Sequence, residues 1–567
     1  MRLSHLFFST LRDDPADAEM ASHRLLVRAG YVRQLGSGIY SLLPLGFRVN
    51  QRVEQVIREE MDRIGSQELS MPVVHPADIW KTSGRYAAIG PELTRFKDRN
   101  GRDMVLAMTH EEVVGILLAD IVKSWRQLPV MLYHFQTKWR DEPRARGGLI
   151  RVREFVMKDA YSCDRVMAGL DVSYEAQHGA YLRIFERLGL EVVVVASDVG
   201  IMGGSQAHEF MVLNPAGEDV LVLCEACGYA ANRQVAVMPK PVATGPTEEA
   251  LPLEEVATPG TTTIATLAAF LGVGPERTAK AAFFTTGDGR LVTAIVRGDF
   301  EVNETKLGNA VSATGGMRPA TVEEIKAAGM EPGYGSPIGA KGTVVVVDDL
   351  VARSPNLVAG ANREGFHYRN VNVGRDFTAD VSADITNAQE GDACPQCGSP
   401  VILRNGIEVG NIFKLGTKFT DAAGATYLGE DGVAHPIVMG SYGIGVGRNV
   451  ACVVEAHHDE KGIVWPAEVA PYAAHLVSIG GTKEPRVTEV AESLHQLAAD
   501  AGREILWDDR DESPGVKFTD AELLGMPWIL TVSPRSLAAG GVEVTERATG
   551  DRSTRPIEDV EAMLRGG

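Results

Sequence analysis

Apolar positions near the start of the chain recur at helical spacing. The segment from Gln51 to Ile64 carries apolar residues on one side, and Gly65 follows as a stop; these residues are Val53, Val56, Ile57, Met61 and Ile64. Residues 68–74 predict a short apolar strand that Pro72 interrupts. The pattern therefore predicts an amphipathic helix followed by a strand.

A second local pattern lies between Gly440 and Gly447, where glycines alternate with other residues just before Arg448 and the apolar run 449–454. Many glycine-rich runs are only turns. Here the order predicts a strand that enters a buried helix, with its backbone drawn close to a ligand. No Lys-Ser or Lys-Thr follows the glycines, so the run is not a Walker-type phosphate loop.

The C-terminal part alternates strands and helices. Strands are predicted at 474–479, 504–507 and 528–532, and helices at 486–500 and 516–524, the first closed by Gly502. Such alternation predicts a mostly parallel sheet with right-handed crossovers. Between the two local patterns, residues 224–406 predict a separate mixed α/β unit with a helix at 264–271 and strands at 280–284 and 291–296 joined through Gly287-Asp-Gly289.

Composition narrows the class of protein. The 567 residues include 44% apolar and 23% charged residues, an ordinary globular balance that suits several domains. The sequence contains no membrane span and no secretory signal, so we expect a cytoplasmic location. A net charge of −19, from 56 basic and 75 acidic residues, argues against a protein that wraps nucleic acid, and any RNA contact must be local.

Two Cys-x-x-Cys pairs, each followed by glycine, bracket the 224–406 unit. They comprise Cys224, Cys227, Cys394 and Cys397. If the two ends of the unit lie side by side, four thiolates can close one tetrahedral structural zinc site. The alternative is reduced or simply packed cysteines. Cys163 and Cys452 stand alone and are expected in the core.

Charge is locally reversed between Lys138 and Arg153, which include six basic residues and two acidic ones. Taken alone, the segment predicts a solvated β-hairpin. Arginine forks nevertheless suit phosphate oxygens. Thr109 and Glu111 project to one face if the chain is extended there, where they would receive an ammonium group; alternatively, Thr109 and Glu112 form a helix capping box.

Three segments together carry a family resemblance. Phe135–Glu142, Arg151–Phe155 and Gly440–Arg448 resemble the second and third signature motifs of class II aminoacyl-tRNA synthetases, and the helix at 51–64 resembles the first, which builds the dimer interface in that family. On physical grounds that helix could equally be ordinary core. Across the whole chain the sequence is similar to prolyl-tRNA synthetases of the bacterial type.

The resemblance implies a fold and a division of the chain. It implies an α+β and α/β multidomain protein with an antiparallel-sheet class II catalytic core at 1–223 and 407–470. A mixed α/β editing domain is inserted at 224–406, and an α/β anticodon-binding domain occupies 471–567. The implied partners are ATP with Mg²⁺, L-proline, tRNA(Pro) and a second copy of the chain.

Site residues follow from the same resemblance. Arg140 would hold the α-phosphate, Glu142 the adenine side and Arg151 a further phosphate, while Phe155 and Arg448 would sandwich the adenine. The proline pocket would comprise Thr109, Glu111, Arg140, His208 and Ser441. Anticodon contacts would come from Arg510, Glu512 and Lys517. The sequence departs from the family at Asn411, Lys414, Ser441 and Ser513, where histidine, glutamine, cysteine and arginine are usual.

An editing domain has a physical reason. A pocket that admits proline cannot exclude alanine sterically, and in aminoacyl-tRNA synthetases a missing methylene costs only about 1–3 kcal/mol. The resemblance implies an editing site at Lys280, Asp348, His367 and the loop Gly333–Pro337. Without the resemblance, each of these residues is an ordinary polar residue or turn.

Three functions fit these observations: a proline–tRNA ligase with hydrolytic editing of alanyl-tRNA(Pro), a hydrolase that only edits, and a non-catalytic relative. A stand-alone hydrolase has no need of Arg140, Phe155 and Arg448, and a relative without catalysis is expected to lose at least one of them. All three residues are present, which favours the ligase.

Overall fold

The computed structural model describes residues 1–16, 18–240, 248–481 and 483–565. Its N-terminal part runs through α1 (Ala21–Arg28), β1 (Val32–Gly36), β2 (Ile39–Leu42), α2 (Pro44–Arg63), β3 (Gln67–Glu68), β4 (Val74–Pro76), α3 (Ala77–Thr82), α4 (Arg85–Ala88), β5 (Arg95–Lys97), β6 (Asp103–Leu106), α5 (Glu111–Ile121), β7 (Val130–Trp139), β8 (Glu154–Asp164), α6 (Met167–Arg187), β9 (Val193–Ser197), β10 (Gln206–Leu213), β11 (Asp219–Leu223) and β12 (Ala230–Asn232).

The middle of the chain forms smaller elements: β13 (Glu254–Ala257), α7 (Ile264–Leu271), β14 (Ala279–Thr286), β15 (Leu291–Arg297), α8 (Glu304–Ala310), β16 (Met317–Pro319), α9 (Val322–Ala327), β17 (Thr343–Asp348), α10 (Asp349–Ala352), β18 (Leu357–Gly360), β19 (Phe366–Val371) and β20 (Val381–Ala383). The chain then returns through β21 (Ile402–Gly416), α11 (Lys418–Ala423), β22 (Thr426–Leu428), β23 (Ala434–Pro436), β24 (Val438–Gly445) and α12 (Val446–Ala456).

The C-terminal part comprises β25 (Ala474–Ser478), α13 (Pro485–Asp500), β26 (Leu506–Asp508), α14 (Pro514–Leu524), β27 (Trp528–Val532), α15 (Pro534–Ala538), β28 (Val542–Glu546), β29 (Arg552–Arg555) and α16 (Ile557–Arg565). Its sheet has the order β26-β25-β27-β28-β29. The first two pairings are parallel and the last two antiparallel, so the sheet is only half parallel, because the chain after β27 returns as a hairpin.

A nine-stranded sheet organises the catalytic half, in the order β10-β9-β12-β11-β21-β24-β8-β7-β3. Its central pairings, β7–β8, β8–β24 and β24–β21, are antiparallel, which confirms the predicted antiparallel core. The long β21 also pairs with both β10 and β11, so its two ends serve different neighbours. The helices α2, α6 and α12 cover one face, and α5 and α11 cover the other.

The predicted first-motif helix is longer than the sequence pattern indicated. It begins with Pro44 in its first turn and ends before Gly65, whose φ of 79° suits glycine. Its apolar side, including Val53, Ile57 and Met61, is buried in the same core as α6 and α12. The predicted strand at 68–74 is wrong as one element, since only β3 and β4 at its two ends are extended pairs.

The other local predictions hold closely. Residues 438–456 form a strand that runs directly into a helix. The helix at 264–271 and the β14–β15 hairpin are present in the middle part. Cys163 and Cys452 are fully buried. Among the described residues, no helix combines the length and the apolar character needed to cross a bilayer.

Candidate active site

A cavity of about 550 Å³ opens between the loop after β7, the middle of β21 and the start of α12. All five residues predicted to bind the nucleotide line it: Arg140, Glu142, Arg151, Phe155 and Arg448. They come from three separate stretches of the chain. The antiparallel register of β7, β8, β24 and β21 brings these stretches to one end of the sheet.

Arg140 is a half-buried cation of this cavity, and its Nε atom is buried. It follows the last residue of β7, and its backbone N–H donates to the carbonyl of Arg153 at 2.9 Å. One Nη donates weakly to Met108 O at 3.4 Å, and no described residue accepts from the buried Nε. Burial lowers the pKa of this guanidinium, although the Glu408 carboxylate opposes the shift. A guanidinium with a buried donor that no described residue fills is suited to an anionic ligand.

Arg448 lies in the first turn of α12 and is held from two sides. Its Nε donates to Ile150 O at 2.9 Å, and Nη1 donates to Glu408 O at 3.0 Å and pairs with a carboxylate oxygen of Glu408 at 3.1 Å. These contacts fix the plane of the guanidinium. Phe155 lines the same cavity, and the guanidinium carbon of Arg140 stands 5.3 Å from the centre of its ring.

The rim of the cavity is an alternating set of charges. Arg151 donates to Glu142 at 2.9 Å and also pairs with Glu218, which accepts from Arg146 Nε at 2.6 Å. Glu142 and Arg151 therefore neutralise each other in the ligand-free protein. Since these side chains are partly exposed, the pairs are weak and can exchange partners.

The residues predicted for the imino-acid pocket meet around one carboxylate. Glu111 accepts hydrogen bonds from Thr109 Oγ1 and from Ser441 Oγ, the latter at 2.9 Å. Arg85, which is buried between Trp80 and Phe419, donates to Glu111 at 3.3 Å and to Glu112 at 3.1 Å. The result is a closed polar floor on the α5 side of the sheet.

Local structure at this floor differs from both sequence interpretations. Thr109 lies in the loop after β6, and Glu111 begins α5, so the pair does not sit on an extended strand. His110 is the residue that precedes the helix, and no side chain caps it, so the capping-box prediction is wrong. Thr109 and Glu111 nevertheless contact each other directly.

His208 needs correction. Strand alternation places Ala207 against Phe413 on the α5 side of the sheet and turns His208 to the α6 side. There its Nδ1 is 2.7 Å from the hydroxyl of Tyr174. His208 therefore lies on the opposite face from Ser441 and Glu111 and does not line the imino-acid floor.

Several functional candidates were missed by sequence reasoning. Arg85 stands in no recognisable motif, and Asp219 and Glu408 sit at ordinary strand positions, yet the last two line the same cavity as Arg140 and Arg448. Asn232 donates to Glu209 at 3.1 Å, beside Asp219. Burial and the nearby Glu408 charge raise the pKa of Glu209 to about 8. The only available signal was that Glu408 lies three residues before Asn411, a position already singled out.

The four departures from the family pattern have local partners. Asn411 donates to Glu408 at 2.8 Å and lines the cavity, and Lys414 pairs with Asp171 at 2.7 Å. Ser441 binds Glu111, as described above. Ser513 caps α14, where its hydroxyl accepts from Val516 N at 3.4 Å. Each replacement is thus accommodated without an unpaired charge among the described residues.

The residues predicted for editing do not all face one site. A small apolar cavity is lined by Pro337 together with Ala279, Ala281, Ile295 and Phe377. Lys280 alternates with Ala279 and Ala281 along β14, points to the other face and pairs with Glu301. Asp348 is fully buried and accepts from Lys240 at 2.6 Å and from Ile385 N at 3.0 Å. Both therefore correct the expectation of a single cluster.

His367 and the predicted loop do belong together. Its Nδ1 is 2.6 Å from Thr258 Oγ1, and its ring centre is 5.4 Å from that of Tyr334, which lies inside the loop Gly333–Pro337. Gly333 takes a φ of 84°, so the turn favours glycine. Burial lowers the pKa of His367 to about 4, so the imidazole is neutral at pH 7.

The four cysteines converge although some 170 residues separate the pairs. Sγ of Cys224 is 3.6 Å from Sγ of Cys397, and Sγ of Cys227 is 3.6 Å from Sγ of Cys394. All four sulfur atoms lie within 4.8 Å of one another. Gly228 and Gly398 both adopt left-handed φ values, and each donates to the carbonyl of the first cysteine of its pair at 2.9 Å, so the two turns are alike.

The predicted anticodon residues are in unequal positions. Glu512 is exposed, whereas Lys517 is buried and donates to Ser478 O at 2.8 Å. Arg510 pairs with Asp508 at 2.7 Å and with Asp520 at 2.9 Å. Lys517 is thus held in the interior by a backbone carbonyl, which corrects the expectation of a surface contact.

Comparison with known proteins agrees with this geometry. The family model "tRNA synthetase class II core domain (G, H, P, S and T)" matches residues 94–457, and the model "Anticodon binding domain" matches residues 474–566. A curated protein of Salinispora tropica named "Proline--tRNA ligase" is 53% identical over 100% of this chain and 96% of its own. One of the same name from Dehalococcoides mccartyi is 48% identical over 99% of this chain and 98% of its own.

A similar solved structure is prolyl-tRNA synthetase of Cryptosporidium parvum complexed with L-proline and AMP. It has a TM-score of 0.58 at 14% identity and covers 98% of this chain and 76% of its own. At that identity the likeness shows a shared fold.

The pKa of Glu209 generates a stability prediction. A carboxyl whose folded pKa, about 8, lies above its unfolded value, 4.5, contributes stability that is present below pH 4.5 and is lost as pH rises through 8. Glu209→Gln stays neutral, so its melting temperature should fall less between pH 5 and pH 8.5 than that of the parent. Calorimetry at the two pH values measures the difference. Glu191→Gln, at an exposed position, is the control and should follow the parent; parallel curves for all three proteins would contradict the prediction.

Proposed function

The chain belongs to the proline–tRNA ligases, a family of class II aminoacyl-tRNA synthetases, and from that membership we propose how its residues divide the reaction. The protein is an aminoacyl-tRNA ligase that joins proline to tRNA with ATP as the energy source. The observation that carries the residue assignment is the convergence of Arg140, Phe155 and Arg448 on one cavity.

In the first step, the carboxylate of proline attacks the α-phosphorus of ATP in line, forms the prolyl-adenylate and releases pyrophosphate. The carboxylate is already ionised, so no side-chain base is required. Positioning and charge stabilisation therefore carry the step. Arg140, with a buried donor that no described residue fills, holds the α-phosphate, and Arg448 stabilises the charge that develops on the nucleotide.

Adenine binds against Phe155. Because the Arg140 guanidinium already borders one face of that ring, the other face receives the base, and Arg448 completes the sandwich. The partly exposed Glu142–Arg151 pair opens so that Glu142 receives the adenine side and Arg151 a phosphate. These assignments agree with the chemistry of rigid, planar guanidinium groups.

ATP enters as its magnesium complex. Glu408 and Asp219, two of the carboxylates that line the cavity, would hold the cation, and Glu209 interacts with both. The pKa of Glu209 is raised mainly by burial and secondly by the Glu408 charge, and a cation bound at Glu408 would offset that second contribution. Oxygen donors of this kind suit Mg²⁺.

The imino group of proline binds at Thr109, Glu111 and Ser441. Glu111 is buried and held by three donors, yet each carboxylate oxygen has two lone pairs. The remaining capacity receives the proline ammonium beside Arg140. In the second step, a terminal ribose hydroxyl of tRNA(Pro) attacks the carbonyl carbon of the adenylate, and AMP leaves.

We further propose that the chain divides at the boundaries predicted from the sequence, although β12 and residues 402–406 of β21 belong to the large sheet. Residues 1–223 and 407–470 form the synthetic domain, 224–406 the inserted domain and 471–567 the anticodon-binding domain. In the last of these, Glu512 and Arg510 are the candidate anticodon contacts, Arg510 after exchange of its carboxylate partners.

The inserted domain hydrolyses alanyl-tRNA(Pro) at the small apolar cavity beside Pro337, with His367 and the loop Gly333–Pro337 next to it. Small alanine side chains at 279 and 281 leave room for a methyl group and little more, as the second sieve of an editing enzyme requires. Lys280 and Asp348 act as structural residues in this proposal.

The synthetic enzyme works as a homodimer in the cytoplasm. The apolar side of α2 is already buried within the chain. The dimer surface is therefore formed by exposed apolar residues on or near this helix. Phe47 is 52% exposed and Leu35 is 81% exposed.

The cysteine cluster holds one structural zinc ion. Tetrahedral zinc–thiolate bonds of about 2.3 Å separate the sulfur atoms by about 3.8 Å, close to the two spacings of 3.6 Å. The ion would join the turn between β11 and β12 to the turn before β21, close to where the chain leaves the large sheet after β12 and re-enters it. Its contribution is structural.

If the synthetic and editing sites are separate, one substitution should abolish only synthesis and another only editing. Arg448→Ala should reduce proline-dependent exchange between pyrophosphate and ATP by at least about a hundredfold, the scale for loss of one transition-state donor, and spare hydrolysis of supplied alanyl-tRNA(Pro). Ala281→Leu, which fills the apolar cavity, should do the reverse. Arg404→Ala, an exposed arginine on β21, should change neither. Loss of both activities in either of the first two variants would refute the two-site assignment.

Zinc can be counted directly. Elemental analysis of the purified protein should give about one zinc per chain, as expected for four thiolate ligands, and Cys227→Ser should lower both the zinc content and the melting temperature. Cys452→Ala removes a buried thiol elsewhere in the core and should keep the metal. A parent protein without zinc, or a Cys227→Ser variant with full zinc, would rule out the site.

A further inference from the structure

A buried polar cluster with no assigned role lies directly beneath the imino-acid floor. It comprises His75, His110, His134, Lys138 and Asp159, all almost completely buried. His110 is the residue between Thr109 and Glu111, and Lys138 lies two residues before Arg140 on β7. The cluster therefore touches both the segment that receives the imino acid and the strand that presents the phosphate-binding arginine.

Three members of the cluster have the side chains and the spacing of metal ligands, but a lysine lies among them. One ligand atom from each of His110, His134 and Asp159 lies within 4.8 Å of the others. The Lys138 ammonium stands 2.7 Å from His110 Nδ1, 2.6 Å from Asp159 Oδ2 and 3.4 Å from His134 Nε2. A cation that belongs to the chain thus already occupies the centre, and its charge excludes a divalent ion.

The hydrogen bonds fix the direction of every donor around His110. Its Nε2 is 2.8 Å from the carbonyl of Pro72, which can only accept, so Nε2 carries the proton and Nδ1 accepts from Lys138. His75 donates to the same carbonyl at 2.9 Å and accepts from Trp80 Nε1 at 3.1 Å. The imidazole of His110 is therefore held at both nitrogens.

Asp159 balances the buried ammonium. Although burial opposes ionisation, the Lys138 charge and the hydrogen bond from His134 Nε2 hold the pKa of Asp159 well below its usual range. Asp159 Oδ2, the oxygen that pairs with Lys138, also accepts from the Tyr161 hydroxyl at 3.2 Å. Because Asp159 is on β8 opposite His134 on β7, the ion pair also ties the two central strands together.

We propose that Lys138 is a positioning residue: its ammonium, held by Asp159, fixes His110 and so sets the place of Thr109 and Glu111 relative to Arg140. The argument rests on the proposed function, because it assumes that these residues receive proline. Loss of the ammonium frees Nδ1 of His110 and leaves the Asp159 charge buried without its partner. The segment 109–111 is then no longer held in place beside β7, while the hydrogen bonds of Arg448 and the other residues that line the cavity are unchanged.

The chain supplies a matched control. Lys158 is also fully buried, on β8 in the same sheet, but faces the α6 side, where it donates to Tyr181 at 2.7 Å and to Tyr442 O at 3.2 Å. It has no contact with the segment 109–111 among the described residues. Comparing Lys138→Met with Lys158→Met separates the loss of a positioning contact from the general cost of removing a buried ammonium.

The test is pyrophosphate–ATP exchange with proline and ATP varied separately. Lys138→Met should raise the KM for proline by about ten- to a hundredfold, the range for one charged hydrogen bond, and the KM for ATP by less than about threefold. Lys158→Met should leave the ratio of the two KM values near that of the parent. Equal rises in both KM values for Lys138→Met, an unchanged KM for proline, or the same pattern in both variants would overturn the proposal.

Should Lys138→Met fail to fold, His110→Asn provides the second variant. It keeps the Lys138–Asp159 pair and removes the imidazole through which Lys138 and Pro72 hold the segment 109–111. The same rise confined to the KM for proline is therefore expected, and an unchanged KM for proline would overturn the proposal. Absence of proline-dependent exchange in the parent protein would instead remove the proposed function, so the two failures are distinguishable.

Discussion

The structure depends on two guanidinium groups that are held close to one cavity. Arg140 has a buried Nε that no described residue fills, and Arg448 is fixed by two backbone carbonyls and a carboxylate. Burying such a group without a partner is costly, so the surrounding sheet must supply the stability. The antiparallel register of β7, β8, β24 and β21 does this, because it builds one rigid surface from stretches far apart in the chain. An anionic ligand would accept a hydrogen bond from the Arg140 Nε, which no described residue accepts from.

A second set of hydrogen bonds holds the residues predicted to bind the imino acid. The imino-acid floor is fixed residue by residue: Arg85 and Ser441 hold Glu111, Lys138 and Pro72 hold His110, and Glu111 holds Thr109. Such secondary contacts keep reacting groups within the small tolerances that catalysis by positioning requires. The two cysteine turns lie at the ends of β11 and β21, which pair with each other and both border the cavity. Contacts between the turns would therefore help to hold these two strands together.

The five residues predicted to bind the nucleotide line one cavity, and their roles there stay predictions. Arg140, Glu142, Arg151, Phe155 and Arg448 stand in short segments that carry the family resemblance, which is why the sequence could bring them together. His208 and Lys280 were assigned by resemblance, without an assignment of strand faces. Because side chains alternate between the two faces of a strand, each lies on the face opposite the other residues predicted for its site. Arg85 could not be found, because only the folded chain brings it to Glu111. Likewise, the burial of Lys517 depends on packing that no local pattern reveals.

The most direct test of the central claim compares the affinities of AMP and adenosine. If Arg140 holds a phosphate that adenosine lacks, calorimetry on the parent protein should show AMP binding at least about tenfold more tightly, the scale for one charge-assisted contact. In Arg140→Met the two ligands should bind alike, while Arg146→Met, on the exposed rim, should retain the difference. Equal affinities in the parent, or a difference that survives in Arg140→Met, would contradict the account.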